Sequence, residues 1–139
     1  MRNLLLVFLI VFGFAGCTTV VSTPAIEPAP TTTKPVVLAL LRDSDQAISS
    51  GQYQNASLAL ERALRIEPRN ALLWHRLAKL RFQQQQYHQA IQLASKSNTL
   101  STDTQMRVAN WLLIADAHAR SGQAEKARAA RDRANQERN

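Results

Sequence analysis

Three histidines, ten carboxylates and one cysteine are the side chains with the most obvious chemical potential in this 139-residue chain. None of His75, His88 and His118 has another histidine three or four residues away. No two imidazoles therefore share a helical face, as a helix-borne zinc site requires. There is no glycine-rich phosphate loop and no serine elbow of the Gly-x-Ser-x-Gly kind. Asp45, Lys79 and Asp116 recur at spacings of 34 and 37 residues. Such a row could pass for a catalytic charge line, but a structural ladder of alternating charge across neighbouring helices explains it with fewer assumptions. The residues thus predict no enzyme, no metal site and no cofactor.

The remaining reactive group is Cys17. It follows Arg2 and the apolar run Leu4 to Phe12, then a short stretch of small residues. A positive residue, a short apolar segment and small residues make a secretory signal peptide, and the run is too short for a bilayer, which needs about 20 residues. Phe14-Ala15-Gly16-Cys17 resembles the bacterial lipobox, with Phe14 in place of the usual leucine. The resemblance implies cleavage before Cys17, a diacylglycerol thioether on its sulfur and a palmitate-type acyl chain on the new amine. The other reading is ordinary cleavage after Ala15, which leaves a free thiol; the sole cysteine standing where the lipobox requires it favours lipidation. Thr18, rather than aspartate, implies transfer to the periplasmic face of the outer membrane. With Cys17 acylated no disulfide can form, so a small secreted domain must rest on its core alone. Residues 18–35 hold four of the five prolines and many threonines. They read as a disordered tether reaching roughly 50–60 Å at about 3.1 Å per residue.

Beyond the tether a repeat governs the chain. Gly51, Tyr53, Ala56, Leu60, Ala63, Leu64 and Pro68 are echoed 34 residues on by Tyr87 and Ala90. A period of that size predicts a stacked helical solenoid. Alanines three to four apart give a helix a flat face that another helix can approach closely. This pattern resembles the tetratricopeptide repeat (TPR), a 34-residue helix–turn–helix unit. Unit one spans about 37–70, unit two about 71–104, and unit three starts near Val108. The resemblance therefore implies an all-α, TPR-like α-solenoid of three hairpins and about six helices over 36–139, after a signal peptide (1–16) and a lipidated tether (17–35). Arg81, Gln85, Ser97 and Thr102 depart from the usual aromatic, glycine, alanine and proline. Helices are expected from Pro35 to Gly51, Tyr53 to Ile66, after the cap Asn70 to about Gln84, Tyr87 to Ser97, Thr104 to Ser121 and Gln123 to Glu137. The Trp74-to-Trp111 spacing of 37 predicts an inserted loop over 97–102, with Thr102 or Asp103 as the next cap. His118 is expected to be packed between helices.

Loss of the signal peptide removes Arg2, so the mature chain carries 16 − 10 = +6 charges. A secreted protein rarely meets nucleic acid, so acidic proteins or phospholipid headgroups are the better partners for that charge; a solvated helix face is the simpler account. In TPR proteins the first helices of the hairpins line a concave groove. Carried over, the groove would comprise Leu38, Leu41, Asp45, Leu72, His75, Lys79, Phe82, Leu112, Asp116 and Arg120, with Leu41, Phe82 and Leu112 as apolar groups where water is expected. The order of lipobox, tether and C-terminal repeats, with the run Leu60 to Asn70, is similar to the LpoP-type outer-membrane lipoproteins. Those activate a bifunctional, class A penicillin-binding protein that builds peptidoglycan. That resemblance implies an envelope-protein partner for the groove; the alternative is an assembly or adaptor lipoprotein of the pilotin, secretion or protease type.

Overall fold

Apolar residues at helical spacing, punctuated by turn formers, divide the chain into hairpins. The computed structural model describes residues 34–139, and among them lie six α-helices: α1 (Pro35–Ser49), α2 (Tyr53–Ile66), α3 (Ala71–Gln83), α4 (Tyr87–Leu100), α5 (Thr104–Arg120) and α6 (Ala124–Arg138). No strand occurs among the described residues. The expected signal peptide, Cys17 and nearly all of the tether lie outside them. Consecutive helices pack as the hairpins α1–α2, α3–α4 and α5–α6, and the hairpins stack through α2 on α3 and α4 on α5. This is the three-hairpin, all-α solenoid the repeat predicts.

The helix starts follow from local chemistry. Pro35 occupies the first turn of α1, where its missing N–H costs nothing. The Asn70 and Asp103 side chains accept from the backbone N–H groups of Leu72 and Gln105, capping α3 and α5. Each hairpin turn closes in the same way. The N–H groups of Gln52, Gln86 and Gln123 donate to the carbonyls of Ala47, Arg81 and His118, at 2.7, 2.8 and 2.8 Å. That closure needs a left-handed residue at the preceding position. Gly51 and Gly122 supply it with φ of 71° and 77°, whereas the middle repeat forces Gln85 to φ 61°.

The expected loop over 97–102 does not form. α4 continues to Leu100, in register with α2 ending at Ile66, and only Ser101–Asp103 connect it to α5. Ser97 holds the helix down because it is buried and its Oγ donates to the Ala71 carbonyl at 2.8 Å. The three extra residues instead lengthen α5, which has 17 residues against 13 in α3. Its added first turn has a use. Met106 drops into the core of the first two hairpins, and Arg107 Nε donates to Glu137 of α6 at 2.7 Å.

The interior changes character along the stack. Val37, Leu41, Leu60, Leu64, Leu72, Leu73, Leu77 and Leu80 fill the first two hairpins. Ala78, Ala94, Ile114, Ala115 and Ala130 form the centre of the second half, with Trp111 and Leu113 at its edge. Leu93 packs against both groups.

The strained middle turn yields a test. A left-handed non-glycine residue costs about 1–2 kcal/mol, and glycine gives back part of this through the entropy of the unfolded chain. Gln85→Gly should therefore raise unfolding stability by about 0.5–1 kcal/mol. Gly51→Ala should lower it by about 1 kcal/mol, although nothing lies within 4 Å of the added methyl. Urea denaturation followed by circular dichroism measures both.

Candidate functional site

The residues expected to line a groove come from α1, α3 and α5, and the structure divides them. Leu41, Leu72 and His75 are buried, at 4%, 1% and 4% exposure. They face the packed interior and are withdrawn from any contact surface. The error lies in treating fixed repeat positions as exposed: Leu41 and Leu72 belong to the main apolar cluster, because helices this close to their neighbours bury more than one stripe. Leu38 is half-buried against the same cluster. Asp45, Asp116 and Arg120 are exposed, and Lys79 is half-exposed. Phe82 is half-buried, its ring set edge-on to Tyr87 with centroids 5.5 Å apart. Leu112 remains 37% exposed.

The expected charge row is also rearranged. Asp45 accepts from Arg76 of α3, a residue the sequence did not single out. Asp116 lies 3.6 Å from Arg131 of α6. Ion pairs thus tie α1 to α3 and α5 to α6, and the surface formed by Asp45, Arg76, Lys79, Phe82, Leu112, Asp116 and Arg120 alternates charge with two apolar groups.

Beneath this surface runs a buried polar relay that sequence reasoning missed. His75 Nδ1 and Asn110 Oδ1 are 2.7 Å apart. Asn110 Nδ2 donates to Ser97 Oγ at 2.8 Å, and Ser97 Oγ donates to the Ala71 carbonyl. Directions propagate along the chain. The Asn110 oxygen can only accept, so His75 carries its proton on Nδ1. The relay joins α3, α4 and α5 and fixes the second hairpin against the third. Its sequence signal was Ser97 in a small-residue position and Asn110 in an otherwise apolar run of α5.

A second polar cluster explains Arg81, which replaces an aromatic. Its guanidinium donates to Ser57 Oγ at 2.9 Å and to Glu61 at 3.4 Å on α2, and to Gln84 at 2.9 Å. It spans the joint between the first two hairpins. His118 is half-buried as expected, with Nδ1 enclosed and without a hydrogen-bond partner among the described residues, and His88 is exposed. Among the described residues no three His, Cys, Asp or Glu side chains gather as metal ligands. A shallow depression bounded by Gly51, Gln52, Tyr53, Asn55 and Gln84 lies at the hairpin turns and holds no acid–base pair.

Comparison with known proteins agrees with this geometry. The family described as "Tetratricopeptide repeat" matches residues 47–98. Among solved structures, the chain is similar to the globular C-terminal domain of LpoP from P. aeruginosa. The two share 33% sequence identity with a TM-score of 0.72, over 75% of this chain and 99% of that one. No curated protein matches the chain.

The relay is the feature most exposed to mutation. Asn110→Leu leaves Ser97 and His75 buried without their partner, so it should destabilise the domain by about 2–4 kcal/mol. Because the loss falls at the joint, amide exchange should accelerate more in α5 and α6 than in α1 and α2. Hydrogen exchange with mass spectrometry reads both effects.

Proposed function

Because the chain belongs to the tetratricopeptide-repeat family, as a relative of the P. aeruginosa LpoP C-terminal domain, we propose that it is a protein-binding regulator of the cell envelope. On this reading it is a lipid-anchored lipoprotein of the outer membrane. Its repeats bind the periplasmic part of a class A penicillin-binding protein and raise that enzyme's peptidoglycan synthesis. The observation that carries the reading is the likeness to nearly the whole of the LpoP domain at 33% identity. Two further features support it. The alternating face on α1, α3 and α5 offers exposed Leu112 and half-buried Phe82 and Leu38 among Asp45, Arg76, Lys79, Asp116 and Arg120. Apolar groups ringed by charge suit an extended or helical peptide. No helix among the described residues is long and apolar enough to cross a membrane.

Activation requires only that the partner bind more tightly in its active form. Rigid hairpins suit this task, since the docking face does not have to be ordered at the moment of binding.

Two measurements test the proposal. Leu112→Arg should weaken binding to the purified periplasmic region of the synthase at least about tenfold, with the melting temperature unchanged because Leu112 lies at the surface. Equal binding by this variant and by a Phe82→Ala companion would remove the face from consideration. Cys17→Ala should release the protein from the membrane fraction, and mass spectrometry of the wild-type chain should find acyl chains on Cys17. Capture of an assembly or protease component in place of a synthase would shift the assignment to an adaptor lipoprotein.

A further inference from the structure

The outer side of the first hairpin carries a surface that the α1, α3 and α5 face does not use. α2 buries Ala56, Leu60 and Ala63 on one side. Diametrically opposite stand Leu58, Arg62 and Arg65, at i, i+4 and i+7, with Ile66 beside them and Arg69 following in the turn. Leu58 is 56% exposed, the most of any large apolar residue among those described, and Ile66 is also exposed. The three arginines are exposed, and none forms an ion pair within the described residues. The nearby carboxylates are engaged elsewhere. Glu61 accepts from Ser57 and Arg81, and Glu67 accepts from Asn70 and pairs with Lys34. The result is a cationic strip along α2 with apolar groups set into it, followed by Arg69 in the turn. A solvated helix face has no need of the exposed leucine and isoleucine.

The position of the N-terminus gives the ridge an occupant. Lys34, the first described residue, donates to the Ile66 carbonyl at 3.5 Å and lies 3.8 Å from Glu67. The first described residue is therefore held beside the C-terminal end of the ridge. Residues 18–33 separate Lys34 from Cys17, and they can span at most about 55 Å.

We propose that the α2 ridge of Leu58, Arg62, Arg65, Ile66 and Arg69 docks onto anionic phospholipid headgroups of the membrane that holds the N-terminus. This deepens the lipid-anchor reading and rests on it for the choice of membrane. The arginines meet lipid phosphates as forked donors, while Leu58 and Ile66 enter the headgroup region. An acylated chain combined with a basic patch holds more firmly than acylation alone. Docked in this way, α2 faces the lipid and the mixed α1, α3 and α5 face remains available to a protein.

The test uses unacylated protein, so that it is independent of the anchor. Residues 17–139 with Cys17→Ser retain every described residue. This protein is sedimented with vesicles of phosphatidylcholine alone or with 30% phosphatidylglycerol, a composition of about one anionic lipid in three chosen to exceed neutral background. Binding to the anionic vesicles should exceed binding to neutral ones at least tenfold and fall steeply with salt. Arg62→Glu/Arg65→Glu/Arg69→Glu should lower the partition coefficient on the order of 100-fold. Lys126→Glu/Arg133→Glu, on the exposed side of α6, should lower it much less. Circular dichroism confirms that each variant is folded. Equal partition of the α2 triple variant and the parent, or no preference for anionic vesicles, overturns the proposal, and an acidic protein then becomes the better occupant. Failure here leaves acylation of Cys17 standing. Absence of acyl chains on Cys17 with ridge-dependent vesicle binding would instead overturn the anchor alone.

Discussion

Close approach of helices across alanine is the constraint on which the structure depends. Ala56, Ala63, Ala78, Ala90, Ala94, Ala115, Ala117 and Ala134 are fully buried, and each marks a place where a larger side chain would push two helices apart. The geometry has an energetic consequence, because an alanine removes little apolar surface from water. At about 25 cal/mol per Å², a buried leucine stabilises the fold considerably more than the alanine that permits its contact. The first two hairpins combine both, with leucines filling the gaps left beside the alanines. The last hairpin buries only alanines from α6, so α6 leans on the Arg107–Glu137 pair with α5, and the hairpin is joined to the second one by the Asn110 relay and by Met106 in the added first turn of α5.

The departures from the repeat pattern are tied to this need. Ser97 stands where alanine is usual and adds a hydroxyl that anchors both α3 and Asn110. Arg81 replaces an aromatic with a guanidinium that bridges two hairpins through Ser57 and Glu61. Both substitutions exchange some apolar burial for hydrogen bonds whose geometry fixes the angle between repeats. Gln85 differs, since it carries backbone strain at its turn, and no side-chain contact in the structure accounts for it.

The two long sides of the stack are chemically unlike. The α1, α3 and α5 side alternates charge and apolar groups, with Asp45 paired to Arg76 across α1 and α3 and Asp116 facing Arg131 of α6. The back of α2 holds one sign of charge and two exposed aliphatic groups. Surfaces so different on one small domain suit two different environments, and the chain enters the domain near the cationic one.

The sequence determined the helices and their order. Period, alanine spacing and turn residues are local properties, and local hydrogen bonding settles them: Tyr53–Ile66, the Asn70 cap and the turns at Gly51 and Gly122 all stand where the residues place them. The fate of the three extra residues was not local. A loop and a longer helix satisfy the same spacing, and α5 lengthened because Met106 and Arg107 found partners on other helices. Exposure of the site was decided in the same way. Leu41, Leu72 and His75 occupy the repeat positions of a groove, yet neighbouring hairpins cover them. Whether a side chain meets water depends on how two helices cross, and that angle is set by contacts between residues some 30 positions apart in the chain, such as His75 with Asn110 and Asp45 with Arg76.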